Sequence, residues 1–445
     1  MKKRKFICNI AVVLSMIFAA VILAFKADSI LEKKASRDSY YDFVHSSLNS
    51  DILFIGTSHM GKAISPVKLW DMNGYTSYVL AAAGDGVKRD NAILEMALDY
   101  TTPKLVILDT DQYWLADELD HQVKNYHRFS DSFPLTATKF RTTLALYEDN
   151  SVRAELLFPW IIYHNRWEEL ERGDFYPVND SRCFKGGGYD ISIVKANLPK
   201  EPLIEDNTEA PGEEGIEAIE KFIQKCKAEN IEVLLVTLPY SADNEQRLYG
   251  VKISEVASKY GVNYINFNER EFFVDEETDF SDLSHLNISG ARKMTEYLGN
   301  YIAENYDVPD RRVEKEYADK WNSDYAAYSE LVKQKIIEET ELKKVLLMCN
   351  DKLFKISVYM DDTLQCQSAE LIAKLLNDNP SVHIIEKDTA LSMIGEDDKE
   401  LFEQKDAYVW VYDAATGEKI CEKSFEAVGD FLTEASENDM EKEAE

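Results

Sequence analysis

Basic residues are in short supply. The 445-residue chain carries 50 Lys and Arg against 81 Asp and Glu, a formal net charge of −31. Phosphate backbones are held by clustered Lys and Arg, so nucleic acid is excluded as a partner, and so is a peripheral hold on anionic lipid. Cysteine is scarce and scattered, at Cys8, Cys183, Cys226, Cys349, Cys366 and Cys421, with no CxxC spacing. That leaves no support for a zinc ribbon or a thioredoxin-like redox site, and the chain is too long for a small disulfide scaffold. His45, His121, His127 and His383 stand isolated, without metal-ligand spacing, so neither a metal nor another cofactor is implied. No internal repeat occurs. Apolar residues, by contrast, make up 45% of the chain and aromatic ones 11%. General disorder is thereby excluded, and the length argues for two or three domains.

Lys2, Lys3, Arg4 and Lys5 precede an uncharged run over 6–25. About 20 residues at 1.5 Å rise match the ~30 Å hydrocarbon core of a bilayer, so a transmembrane helix is expected there. By the positive-inside rule residues 1–5 stay cytoplasmic and the remainder is exported. A cleaved signal peptide is the competing reading. Against it, the run is longer than a usual h-region and no clean A-x-A site follows. An uncleaved anchor, with a stalk over 26–50, is therefore the expectation.

Compact apolar runs follow at 52–55, 78–81, 105–108, 233–238 and 262–265. Such runs suit strands buried on both faces, hence a parallel sheet. Between them lie helical patterns. Ile216, Ile219, Phe222, Ile223 and Cys226 form one stripe, as do Ile93, Met96, Ala97 and Tyr100, and then Met294, Tyr297, Leu298, Tyr301 and Ile302. This alternation predicts a doubly wound, flavodoxin-like α/β domain over 51–306 with a five-stranded parallel sheet. Ligands in such folds bind at the C-terminal strand ends, and an aromatic insertion over 115–212 can form a cap there. Beyond it, 307–345 reads as a connecting helix. A small α+β module is expected over 346–430, with a hairpin turning at Ala414-Ala415-Thr416-Gly417, then an acidic tail over 431–445.

One constellation carries chemistry. Asp51-Ile-Leu-Phe-Ile-Gly-Thr-Ser58-His is a strand ending in Gly56 and then a serine, and Asp282-Leu-Ser-His285-Leu-Asn-Ile-Ser-Gly290 stands far downstream. Serine is a weak nucleophile that needs a base within hydrogen-bond reach. His285 supplies one, and Asp282 orients it and stabilises the imidazolium. Asn287 is placed to N-cap the last helix, and Gly290 allows close packing in its first turn. Taken singly, each piece also reads as a capping turn, a surface salt bridge or half a metal site.

Together, the two segments resemble blocks I and V of the SGNH (GDSL-type) hydrolase superfamily. The resemblance implies that Ser58 is the nucleophile, with Asp282 and His285 as acid and base. It also implies an oxyanion hole from the amides of Ser58 and of Gly84, in Ala-Ala-Ala-Gly84-Asp-Gly86, although a tight βα turn explains that glycine equally. Block III departs from the pattern. Asp109-Thr-Asp111-Gln112 stands where G-x-N-D is expected, so the Asn donor is missing, and Gln112 offers an amide N–H only at a different reach. One lost oxyanion donor costs ~10²–10³ in rate. The anchor, the G-T-S-H block and the aromatic insertion are similar to a narrower group: exported, membrane-anchored bacterial proteins that accompany polysaccharide or teichoic-acid acylation. That likeness implies a membrane-bound O-acyltransferase as partner and a polysaccharide or teichoic acid as acceptor. It extends over 51–306 and not into the C-terminal module.

Within the insertion, Trp160, Tyr163, His164 and Arg166 suit sugar stacking and phosphate or carboxylate contact. The same pattern also fits a helix packing Trp160, Tyr163 and Trp167 inward. Lys185-Gly-Gly-Gly188 is a flexible or tight loop and no phosphate loop, because the Lys precedes the glycines. The function expected is an extracytoplasmic acyl esterase or acyltransferase; the alternative is a non-catalytic binding or scaffold protein that kept the fold.

Overall fold

The computed structural model describes residues 2–31, 39–81, 87–111, 113–115, 123–175, 184–203, 213–269, 273–361, 369–395, 399–402, 405–428 and 431–434. Helix α1 (Lys2–Leu31) is 30 residues long and α2 (Ser39–Val44) follows it. Side chains from 9 to 24 along α1 are exposed. No helix among the described residues is long and apolar enough to cross a membrane. The span expected over 6–25 is therefore not supported by the structure.

The five apolar runs do become strands: β1 (Ile52–Gly56), β2 (Ser77–Ala81), β3 (Leu105–Asp109), β4 (Glu232–Thr237) and β5 (Asn263–Asn266). They lie in the order β2-β1-β3-β4-β5, and every pairing is parallel. This is the flavodoxin-like order of a doubly wound sheet. Strand alternation sorts the side chains onto two faces. Leu53, Ile55, Val106, Leu108, Val233 and Leu235 share one apolar cluster, and Ile52, Phe54, Leu105, Ile107, Leu234 and Val236 share the other. The crossover elements divide accordingly. Helices α3 (Ser58–Ala63) and α4 (Pro66–Asn73) join the second face, and α5 (Val87–Ala97) joins the first. Each fully buried Leu, Ile or Phe contributes roughly 1.5–3 kcal/mol relative to exposure.

The insertion supplies α6 (Val123–Ser130), α7 (Ala137–Leu146), α8 (Asn150–Leu157), α9 (Trp160–Tyr163) and α10 (Arg172–Phe175). Tyr126, Phe129, Phe133 and Leu156 enter the first cluster beside Tyr40 and Phe43. This helical part therefore lies along one face of the sheet, against α5, and the apolar face of α5 dictates that seat. The returning segment takes a different path, since Val79 N–H donates to Lys185 O at 2.9 Å, along the free edge of β2. Two helices then flank β4: α11 (Glu213–Ala228), with Ile219, Phe222, Ile223 and Cys226 buried, and α12 (Asn244–Tyr260). Helix α13 (Ile288–Asn305) buries Met294, Leu298 and Ile302 against the second face.

The expected connecting helix is broken in two, as α14 (Lys315–Glu338) and α15 (Leu342–Met348). Glu338, Glu339 and Glu341 crowd the helix end where the macrodipole disfavours anions, and Glu339 is extended, with ψ 136°. Nor is α14 a spacer. Trp321 stacks on Trp70 at 5.6 Å between ring centroids, and Trp70 Nε1 donates to Asn322 Oδ1 at 2.9 Å. The C-terminal module contains β6 (Phe354–Met360), α16 (Ala369–Asn377), β7 (Val382–Ile384), β8 (Ala407–Asp413), β9 (Lys419–Val428) and β10 (Phe431–Glu434). They form a second sheet ordered β10-β9-β8-β6-β7. The β8–β9 hairpin turns at the anticipated place, where Gly417 has φ 75°. Strand β10 occupies residues assigned above to the tail. Its four residues are too few to show a period, and it is defined by main-chain pairing with β9.

Lys185 ties these parts together. It is buried, with Nζ 2.8 Å from Asp324 of α14 and 3.3 Å from Asp42 of α2. The same ammonium lies 5.2 Å from the Tyr78 ring and 5.3 Å from that of Trp321. The triple-glycine loop is thus a tight one, placed to bury a cation between two carboxylates. Replacing Lys185 with Met leaves Asp324 to Lys320 and Asp42 to the Tyr78 hydroxyl, and a loss of about 1.5–3 kcal/mol in urea unfolding is expected.

Candidate active site

At the end of β1 the chain must turn sharply beneath β3. Gly56 has φ 153°, and a Cβ there would sit 2.5 Å from the Cβ of Asp109. Only glycine fits so close an approach. Thr57 then caps α3 in extended conformation, its hydroxyl accepting from His59 N–H and donating to Asp109 Oδ2 at 3.2 Å. Ser58 is the first residue of α3. Its amide thus belongs to the first-turn N–H groups that a helix leaves without an internal partner.

The downstream loop is held from both ends. Phe280 and Leu286 form an antiparallel bridge, and Ser281 N–H donates to His285 O at 2.8 Å. Asn287 caps α13 by accepting from the amides of Ser289 and Gly290, at 3.0 and 3.2 Å. Its own Nδ2 donates to Thr278 O at 2.8 Å and Ser192 O at 3.1 Å. A Cβ on Gly290 would lie 2.3 Å from Asp279 O, so the loop and helix pack too closely for a side chain there.

This bracing delivers His285 to Ser58. Ser58 Oγ and His285 Nε2 are 2.7 Å apart. On the far side of the ring, His285 Nδ1 lies 2.8 and 3.0 Å from the two carboxylate oxygens of Asp282. Burial works to raise the Asp282 carboxyl, but the amides of Ser284 and His285 and the imidazole outweigh it and hold the group below its ordinary value. Asp282 is thus an anion at neutral pH, able to fix the imidazole tautomer with Nδ1 protonated and Nε2 free to accept the serine proton. The site opens to solvent, since the Asp282 side chain is 55% exposed.

A second ring of polar groups lies directly behind, and sequence reasoning gave it no role. His59 is buried with Nδ1 2.8 Å from Asp111 Oδ2. Its ring stands nearly perpendicular to that of His285, with centroids 4.8 Å apart, and 5.5 Å from the Tyr240 ring. Burial alone would favour neutral His59; Asp111, then Asp109 and Asp282, override it and raise the group to about 9. Asp109 is pushed up to about 7 by burial and by the charge of Asp111. Burial and the neighbouring Asp111 also raise the Tyr240 phenol. His59, Asp111 and Tyr240 come from the ends of β1, β3 and β4. Only the adjacency of His59 to Ser58 hinted at this cluster in the sequence.

Gly84 and Gln112, assigned above to the oxyanion hole, lie outside the described residues. Trp160, Tyr163, His164 and Arg166 make their described contacts within the insertion and with α1. Tyr163 Oη donates to Asp131 at 2.9 Å, His164 Nδ1 lies 2.7 Å from Ile161 O, and Arg166 bonds Asp174 at 2.9 Å and Leu31 O at 2.6 Å. Among the described residues no cluster fit to hold a metal ion occurs.

No family profile and no curated protein matches the sequence. Solved structures do resemble it at low identity. One is a GDSL-like lipase from Bacteroides thetaiotaomicron, at 13% identity and TM-score 0.29, with 57% of this chain and 87% of that one covered. Another is an active-site mutant of a family two carbohydrate esterase from Clostridium thermocellum, at 11% identity and TM-score 0.29, covering 58% and 65%.

Because His59 is raised from 6.5 to about 9 on folding, its contribution to stability is complete below about pH 6.5 and is lost as pH climbs through about 9. Urea unfolding measured across that window should show the decline, and a His59→Gln variant should lose the part of it near pH 9.

Proposed function

We propose that this chain is a serine acyl esterase or O-acyltransferase of SGNH type, acting outside the cytoplasm on acyl groups of a cell-surface polysaccharide or teichoic acid. The observation that carries the reading is the continuous hydrogen-bonded chain from Ser58 Oγ through His285 to Asp282, 2.7 Å at its first link. In the reaction, Ser58 Oγ attacks the acyl carbonyl carbon while His285 Nε2 takes the hydroxyl proton. The carbonyl oxygen becomes an oxyanion facing the Ser58 amide. Collapse expels the donor alcohol, which receives the proton from His285, and leaves an ester on Ser58. Water or a sugar hydroxyl then repeats the sequence in reverse, and the acceptor's occupancy decides between hydrolysis and transfer.

Attachment to the membrane belongs to the same proposal. Its support is the basic residues Lys2, Lys3, Arg4 and Lys5 ahead of a helix whose apolar side chains, Leu14, Met16 and Phe18 among them, are exposed. A membrane-bound O-acyltransferase that passes acyl groups outward is the partner this reading calls for. One observation favours the second reading, a non-catalytic scaffold: a buried carboxylate, Asp111, stands at the block III position where the resemblance calls for an amide donor.

Fluorophosphonate labelling of the full-length protein should modify Ser58 and vanish in Ser58→Ala, and Asp282→Asn should lower esterase turnover by about 10⁴-fold. Absence of labelling in the unsubstituted protein, together with full rescue of surface acylation by Ser58→Ala, would favour the scaffold instead.

A further inference from the structure

We infer that the outer face of the insertion, formed by Phe158, Trp160, Ile162, Trp167 and Phe175, seats in the headgroup layer of a zwitterionic lipid bilayer beside α1. The inference rests on the membrane part of the preceding proposal and is independent of its chemistry. These five side chains are among the large apolar groups left exposed, with Trp167 64% and Phe175 51% accessible. They fall on α9, the 164–168 turn, α10 and the C-cap of α8, one after another along the chain. Five large apolar side chains left exposed within residues 158–175 are a concentration of the kind that marks an interaction site.

The neighbouring helix identifies the occupant. Helix α1 packs against α9, the 164–168 turn and α10, and Arg166 Nη1 donates to Leu31 O, closing the end of α1 onto this face. Along α1, Val12, Val13, Leu14, Met16, Ile17, Phe18 and Ile22 are all exposed, and at 100° per residue they spread over more than two thirds of the circumference. A helix apolar on every side is at home in lipid and costs free energy in water. The insertion face continues that apolar surface outward and adds two tryptophans, whose amphipathic rings favour the membrane–water interface. This needs no complete crossing by α1, only that its apolar length be immersed as far as Phe25, with Lys26 and Asp28 at headgroup level.

Charge selects the lipid. Glu168, Glu169 and Glu171 are exposed on the same turn, so anionic headgroups are repelled and burial of apolar surface does the holding. Trp160, read above as part of a sugar platform, is thereby assigned to lipid, while Tyr163 bonds Asp131 within the insertion.

The test is tryptophan quenching in the full-length chain reconstituted into phosphatidylcholine bilayers, with and without brominated phosphatidylcholine. Of the six tryptophans, Trp70, Trp321 and Trp410 are buried in the protein. Bromolipid should remove about a third of the emission, corresponding to two residues of six. A Trp160→Phe/Trp167→Phe double variant, verified as folded by circular dichroism and an unchanged Tm, should lose most of that quenching. Quenching that is absent in the unsubstituted protein, or equal in the double variant, overturns the inference. So does protection of these tryptophans that tracks protein concentration, which means a second copy, or that requires a soluble polysaccharide, which means a sugar site. Ser58→Ala should quench like the unsubstituted chain, so failure of the esterase reading leaves this result untouched.

Discussion

Gly56 and Asp109 approach more closely than any pair with a Cβ at position 56 could. That contact between the C-terminal ends of β1 and β3 shapes everything at the edge of the sheet. It forces β1 to end where it does, so Thr57 falls at the helix cap and Ser58 at the first helical position. It buries the Asp109 carboxyl, which then receives the Thr57 hydroxyl and, at 3.1 Å, the Asp111 amide. Asp111 is in turn held against His59. The nucleophile's position and the charged groups behind it are thus consequences of one close backbone approach.

The same strand is anchored at its other end by a different force. Asp51, just before β1, is buried and accepts from Arg311 Nε and Nη2 at 2.7 and 2.8 Å and from Thr76 Oγ1 at 2.9 Å. A planar guanidinium matched to a carboxylate is a directional clamp. With the Trp70–Trp321 stack and the buried Lys68–Asp351 pair at 2.7 Å, it fastens the C-terminal third onto the α/β domain. The module's apolar cluster also takes in Val67, and Phe184, Tyr189 and Ile288 pack against it. It braces α4 and the start of α13, the helix on which the His285 loop depends. Pairs of this kind are worth less as net stabilisers than as constraints, because desolvation offsets much of the attraction.

Much of the architecture was legible because it rests on local pattern. The five strands are apolar runs bounded by turn residues, and the α11 and α13 stripes repeat at helical spacing. The Asn287 cap follows from a short side chain placed one residue before an amphipathic stretch. What escaped reading has equally physical reasons. β7 has three residues and β10 four, too few for a period. The break between α14 and α15 hides within a continuous stretch of charged and apolar residues. The aromatic insertion reads the same whether it faces sugar, protein or lipid, since the spacing that packs an aromatic inward also presents one outward.

Sequence by itself determined the strand and helix elements, the acidic balance that excludes polyanions, and the identities of Ser58, Asp282 and His285 as a possible proton relay. It could do so because periodicity and residue chemistry are properties of short segments. Tertiary structure alone decided that residues 227 positions apart lie within a hydrogen bond, that His59, Asp111 and Tyr240 converge behind them, and that the insertion packs along α5 beside α1. Those are outcomes of which strand ends share an edge and which apolar faces meet. Both are settled only when the whole chain closes its core.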